Sequence, residues 1–306
     1  MLAQAGATLE RMPVIPAMTT DAERECYYRL VRDNAANGAI VELGAWLGAS
    51  TAYIAAGIRD SGVDTRAQVY DKFQSKPGHA AKVAAFYEAR GLDKVPMGPC
   101  LEDFLRNLGP LIEYVEPHPG QIEDMRWSGE PIAVLITDAP KRVPAISAVL
   151  TKLGPSLHPG AVMAWQDFCH FPSYEIPACL YRLRDHLSFV EAIVPGTTLV
   201  FRVDSIIDRA KVTLDHLSLD NWTPNEVAQA WNYWLADYVP EEKKALFRCG
   251  AAMFLCDLGY RSDAIAHLKA AGTPSEVVKK WRYLRERRPD FVKRYAVLFE
   301  HLRGVL

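Results

Sequence analysis

Up to about Asp204 the apolar residues of this chain follow two alternating rhythms, and beyond it only one. Short apolar runs at 40–45 (Ile-Val-Glu-Leu-Gly-Ala), 68–72 and 132–137 (Ile-Ala-Val-Leu-Ile-Thr) suit strands covered on both faces. Segments of helical spacing follow them, near 50–59, 79–90 and 142–153. In the last of these Val143, Ile146, Val149, Leu150 and Leu153 fall on one face, which predicts a helix lying on a sheet. An earlier helix is expected over about 21–32, where Thr20 and Glu23 are spaced as a capping box. Segments 188–194 and 198–203 flank Pro-Gly-Thr and predict a closing hairpin. This alternation predicts an α/β class, a doubly wound and mostly parallel sheet with helices on both faces.

After Asp204 the strand signal stops. Thr223-Pro224-Asn225-Glu226 and Thr273-Pro274-Ser275-Glu276 both read as capping boxes with Pro at the first helical position. Residues 249–272 predict a helical hairpin with Gly259 and Gly272 as stops. No second copy recurs at a fixed period, so a repeat array is not expected. The expected division is 1–204, an α/β domain with an N-terminal helix, and 205–306, a helical C-terminal domain. The tail's large apolar residues, among them Trp222, Trp231, Trp234, Leu246, Phe247 and Leu255, need cover from the first domain or from a second copy.

The turn after the first strand carries the most chemical information. Residues 42–51 read Glu-Leu-Gly-Ala-Trp-Leu-Gly-Ala-Ser-Thr, in which Gly44 and Gly48 permit a tight turn and Ser50 or Thr51 is placed to cap the next helix. A helix N-terminus there offers unpaired backbone N–H groups to an anionic ligand. The G-x-G-x-x-G fingerprint is absent because position 46 is Trp, and no Gly-Lys-Ser/Thr follows to form a phosphate loop. The remaining pattern is E-x-G-x-x-x-G.

This acidic-glycine pattern resembles that of the class I S-adenosylmethionine (SAM) dependent methyltransferases, where it holds the methionine end of SAM. Three further segments strengthen the likeness. Gln68–Phe73 resembles the family's second strand with its ribose-binding acid, here Asp71. Ile132–Asp138 resembles the fourth strand, and His158–Asp167 the "L-x-P-G-G" turn and fifth strand. The resemblance covers roughly residues 25–204 and implies a seven-stranded Rossmann-like sheet. It implies SAM as cofactor, with Glu42, Gly44, Ala45, Trp46, Gly48, Ser50, Asp71, Lys72, Phe73, Cys100, Leu101 and Asp138 around it. The macrocin-type O-methyltransferases, which act on sugars of natural products, show the most similar pattern, so the implied acceptor is a sugar or other small-molecule hydroxyl. An amine or phenol acceptor, or a non-catalytic interaction protein on the same fold, are the other readings.

In macrocin-type relatives the fourth-strand segment runs acidic-Gly-acidic-His and the fifth strand ends in an acidic pair. Those acids bind magnesium, and the His is the base. This chain departs from them, reading Asp138-Ala139-Pro140-Lys141 and Gln166-Asp167. Two carboxylates remain for a cation that prefers six oxygens, so magnesium is the weaker expectation and no metal ligands are assigned. The alternative is that the Lys141 ammonium supplies the positive charge, or that Lys141 loses its proton and acts as base. His170, three residues after Asp167, is a further candidate base. Asp138, Lys141, Asp167 and His170 are therefore the expected catalytic group. The bland alternative for Glu42 and Asp71 is an ordinary solvated loop acid, for Asp138 a cap on the helix that begins near Lys141, and for His170 an exposed or structurally hydrogen-bonded loop residue.

Composition sets the outer bounds. A formal net charge of −2 gives no drive toward nucleic acid or an anionic membrane. No apolar stretch is long enough to span a bilayer, and Met1–Met18 lacks the apolar core of a signal peptide, so a cytoplasmic location is expected. The six cysteines include no C-x-x-C pair and read as buried free thiols, Cys169 among them. The basic segment 279–294, interleaved with Trp281, Tyr283 and Tyr295, reads as a solvated helix face, with a phosphate-bearing acceptor or an acidic partner as the other reading.

Overall fold

The computed structural model describes residues 12–89, 91 and 97–304. The strands among them are β1 (Ala39–Leu43), β2 (Ala67–Asp71), β3 (Gln74–Ser75), β4 (Gly98–Pro99), β5 (Val115–Pro119), β6 (Ile132–Thr137), β7 (Leu157–Trp165), β8 (Leu187–Ala192) and β9 (Leu199–Val203). Seven form one sheet in the order β5-β2-β1-β6-β7-β9-β8, and β3 and β4 pair apart. The pairs β1/β2, β1/β6, β2/β5 and β6/β7 are parallel, while β9 runs antiparallel to both β7 and β8. This is the expected doubly wound, mostly parallel fold. The strand order reverses between β1 and β6, so their carboxyl ends flank the crevice where such sheets bind ligands.

The helices of the first part are α1 (Asp21–Asn34), α2 (Ala49–Ser61), α3 (Pro77–Glu88), α4 (Leu101–Leu108), α5 (Val143–Leu153) and α6 (Glu175–Arg182). Thr20 and Glu23 form the expected capping box on α1. Side chains of a strand alternate between faces, and the two faces hold separate cores. Ile40, Val134, Ile136, Ala164 and Val200 face α1, α2 and α4. Val41, Leu135, Met163, Trp165 and Phe201 face α5, α6 and the C-terminal helices.

Those later helices are α7 (Leu214–Leu217), α8 (Pro224–Asp237), α9 (Glu241–Asp257), α10 (Arg261–Ala271), α11 (Ser275–Arg287), α12 (Pro289–Arg294) and α13 (Ala296–His301). Thr223 and Glu226 close a capping box on α8. The second expected box does not form. Pro274, not Thr273, occupies the cap of α11, and no side chain bonds to its first turn. The hairpin expected over 249–272 begins earlier, because α9 continues the helical pattern back to Glu241. The tail packs on the sheet rather than standing alone. Trp231, Trp234, Phe247 and Leu255 share one continuous core with Trp165, Phe168 and Phe201. The Trp234 indole N–H donates to the Pro177 carbonyl at 3.0 Å. The aromatic residues that made a second copy an alternative cover are thus buried within the chain.

The basic residues of 279–294 are exposed, while Trp281 and Tyr295 between them are buried. All six cysteines are free, and all but Cys256 are buried. Among the described residues no helix is long and apolar enough to cross a membrane.

Candidate active site

β1 gives way to α2 through a turn that no other residue types would make as readily. Gly44 has φ +97°, and a Cβ there would lie 2.8 Å from the backbone nitrogen of Ala139. The ends of β1 and β6 meet at this point, since Asp138 and Ala139 both donate their N–H groups to the Leu43 carbonyl, at 2.8 and 3.1 Å. Among the described residues only Trp46, Phe73 and Asp167 have positive φ without being glycine, and all three lie in or beside this crevice. Such strain persists where surrounding structure over-determines it, commonly at functional sites. Here Asp71 fixes two of the three. One carboxylate oxygen accepts from the Trp46 N–H at 3.0 Å and the other from the Phe73 N–H at 2.5 Å. An ionised carboxylate offers about four acceptor positions, so Asp71 retains room for a ligand's hydroxyls.

Ser50 and Thr51 do not cap α2, whose N-cap is Gly48. Both hydroxyls donate instead to Glu42, Thr51 at 2.6 Å. The reason is burial. Glu42 is 1% exposed, and a carboxylate withdrawn from water needs donors of its own. Glu42 therefore ties β1 to the first turn of α2 and positions the glycine turn without opening into the crevice. Burial pushes its carboxyl up from 4.5 to about 7, although the two hydroxyls oppose the shift. The folded chain then binds this proton more tightly than the unfolded chain, so stability from Glu42 is greatest below about pH 4.5 and declines toward pH 7, by up to about 3 kcal/mol. In Glu42→Gln, chemical denaturation should show a shallower loss of stability across that window. Parallel curves for the two proteins would refute the assignment.

Across the crevice lies a charged network. Lys141 donates through Nζ to Asp138 Oδ1 at 2.9 Å and to Asp167 Oδ2. With its amide nitrogen turned toward Asp138, Gln166 donates to both oxygens of that carboxylate, at 2.8 and 3.2 Å. The Thr197 hydroxyl donates to Asp167 Oδ1 at 3.2 Å. Glu23, buried, accepts from the Thr197 N–H at 2.9 Å and the Thr198 hydroxyl at 2.8 Å, anchoring the β8–β9 turn to α1. Burial works against the Lys141 charge, but the two adjacent carboxylates outweigh it and hold the ammonium protonated well above its ordinary range. This pairing disfavours the uncharged form that Lys141 would need to act as a base. Burial and the nearby Asp167 raise the Asp138 carboxyl, with Lys141 opposing; Asp167 is held down by Lys141 and His170 against its own burial.

Between these two walls is a cleft of about 320 Å³, within the range of small-molecule sites. Of the expected residues, Gly44, Trp46, Asp71, Lys72, Asp138 and Lys141 line it. Ala45, Gly48, Ser50, Phe73, Cys100 and Leu101 stand behind that lining. Phe73 packs on Phe104 with ring centroids 4.8 Å apart, and the Cys100 N–H donates to the Phe73 carbonyl at 2.8 Å. Asp167 lies off the lining, and so does His170. Its Nδ1 is 3.8 Å from Asp167 Oδ2, beyond hydrogen-bond reach, and 3.4 Å from the Ser173 hydroxyl. Sequence reasoning did not assign Met18, Gln74, Lys76, Ile122, Glu123 or Ala139 to the site, and these complete the lining. It also missed Glu23 and Thr197, since nothing in a local pattern distinguishes a capping-box acid that bonds a distant hairpin.

The residues fit SAM. Asp71 lines the cleft with acceptor capacity to spare, and Gly44, where a Cβ would lie 2.8 Å from the Ala139 nitrogen, presents only backbone to it. Magnesium does not find a comparable set: among the described residues no group of three or more His, Cys, Asp or Glu is arranged to hold a metal.

Residues 41–168, less than half of the chain, match a family model described as a methyltransferase domain. No curated protein matches the chain. Among solved structures, the O-methyltransferase NovP is similar at 21% identity over 60% of this chain and 80% of its own, with a TM-score of 0.46. CalS11, a TDP-rhamnose 3'-O-methyltransferase of calicheamicin biosynthesis, is similar at 16% identity over 65% of this chain and 91% of its own, with a TM-score of 0.39. Cofactor-bound Rv0187 from MTB is similar at 17% identity over 67% and 89%, with a TM-score of 0.41. The span that matches the methyltransferase-domain model holds the glycine turn with β2, β6, β7 and most of β1, the same elements whose ends build most of the cleft.

Proposed function

We propose that this chain transfers the methyl group of SAM to a hydroxyl oxygen of a small molecule, with a sugar hydroxyl as the preferred acceptor. The observation that carries this reading is the carboxylate–ammonium–carboxylate group Asp138–Lys141–Asp167, two members of which, Asp138 and Lys141, line the same cleft as Gly44 and Asp71. SAM would be held by the 44–48 turn and Asp71, and when bound it supplies an electrophilic methyl group. The chain's own residues then orient the acceptor and take its proton. Asp138 is the candidate proton acceptor, because it lines the cleft and its burial raises its proton affinity. Lys141 has three donors, two of them spent on carboxylates, and the third can address an acceptor oxygen. A protonated ammonium there favours an oxygen acceptor over an amine, which would compete with it for the same carboxylates. Lys72, Gln74, Lys76 and Glu123 make the rim polar and exposed, which suits a hydroxyl-rich acceptor.

Calorimetric titration with SAM tests the donor half. Asp71→Ala removes the charged acceptor for ribose hydroxyls and loosens the Trp46 turn, so SAM affinity should fall by about 1.5 to 3 kcal/mol, roughly ten- to a hundredfold. Unchanged affinity would sink the assignment. Transfer of a labelled methyl group to a panel of glycosides, phenols and amines tests the acceptor half, and labelling confined to amines would overturn it.

A further inference from the structure

The acidic-pair segments of this chain resemble those that hold magnesium in macrocin-type relatives, yet the residues here do not fit that ion. Position 140 is Pro and brings no side-chain oxygen. Gln166, in place of an acid, turns N–H donors onto both oxygens of Asp138. The remaining approach to Asp138 and Asp167 is taken by Lys141 Nζ, bonded to one oxygen of each. Asp167 Oδ1 is bonded by Thr197. Every oxygen of both carboxylates thus faces at least one donor hydrogen, whereas magnesium demands a near-octahedral set of bare oxygen lone pairs.

We propose that the Lys141 ammonium is a built-in cation that occupies the metal position between Asp138 and Asp167. It neutralises the two carboxylates, fixes their separation, and presents its third N–H to the acceptor oxygen. The last of these tasks rests on the methyltransferase reading above; the first two do not. The side chain is 37% exposed and lines the cleft, so the ammonium is both anchored by the carboxylates and accessible to a ligand. The charge difference from a divalent ion also matters. Two carboxylates and one ammonium leave the group one negative charge, which an incoming hydroxyl proton can neutralise.

The test is manganese binding to the full chain, read from the paramagnetic resonance signal of free Mn²⁺. Wild type should leave the signal unchanged. Lys141→Ala should uncover the carboxylates, leave the Gln166 amide free to turn its oxygen toward the ion, and bind one Mn²⁺ with a dissociation constant of about 10⁻⁴ to 10⁻³ M, the range of weak oxygen-ligand sites. Adding Asp167→Asn to that variant should abolish the new site. Lys141→Arg keeps a cation in place and should exclude Mn²⁺ as wild type does, which separates loss of charge from loss of fold. Wild type that binds Mn²⁺ through Asp138 and Asp167, or a folded Lys141→Ala that gains no site, overturns the proposal. SAM titration on the same samples reads the donor assignment separately, since neither manganese result depends on SAM.

Discussion

Asp138→Asn should reduce methyl transfer by about 10² to 10⁴-fold, the usual contribution of a positioned general base, while SAM affinity stays within about threefold of wild type. The substitution keeps the size and planarity of the side chain but removes its ability to take a proton. Its local cost is small, because the Gln166 amide can reverse and pair with the new amide. The backbone contact from residue 138 to Leu43 does not involve the side chain and is retained. A variant with this profile has lost an interaction made in the transition state rather than a binding contact. The reverse profile, weak SAM binding with transfer intact at saturating SAM, would move Asp138 to the cofactor and leave the proton without this acceptor. Turnover within tenfold of wild type would point instead to Asp167 or His170.

Much of this site is legible because the β1–α2 turn is a local device. Two glycines with positive φ, a strand before and a helix after can all be read within the 42–51 segment. The strand β5 is not legible in that way. Its sequence, Val-Glu-Pro-His-Pro, has two prolines and one large apolar residue, and it survives at the sheet edge by pairing with β2 alone. The same limit applies to the network. Asp138, Lys141 and Asp167 can be nominated from strand ends, but Thr197 and Glu23 join them only through a hairpin and a helix that meet in three dimensions. Ser50 and Thr51 show the converse error. Their spacing fits a helix cap, and the buried Glu42 beneath them competes successfully for both hydroxyls. Local capping preferences of about 1 kcal/mol lose to the need to pair a buried carboxylate.

Deleting residues 210–306 should leave the remaining α/β part unable to stay folded and soluble. The tail shares the cover of one face of the sheet with α5 and α6, and its Trp231, Trp234 and Phe247 belong to the same core as Trp165, Phe168 and Phe201. Truncating a single buried Trp or Phe typically costs about 3 to 5 kcal/mol, against a total stability of about 5 to 15 kcal/mol, so losing several cannot be absorbed. A soluble, cooperatively unfolding monomer by size-exclusion chromatography and calorimetry would show the tail to be dispensable. The link to chemistry runs through the segment after β7. Phe168 lies edge-on to Trp234 with ring centroids 5.1 Å apart, and Phe171 packs on Trp281 at 5.6 Å. Asp167, held at φ +59°, precedes Phe168 directly. The tail therefore seats the residue that shares the Lys141 ammonium. In the intact chain, Trp234→Ala should lower stability by about 3 to 5 kcal/mol and also lower turnover below the melting transition, with SAM affinity retained because the glycine turn packs on the opposite face. A variant that loses stability but keeps full turnover would show that Asp167 is seated by Thr197 and Lys141 alone.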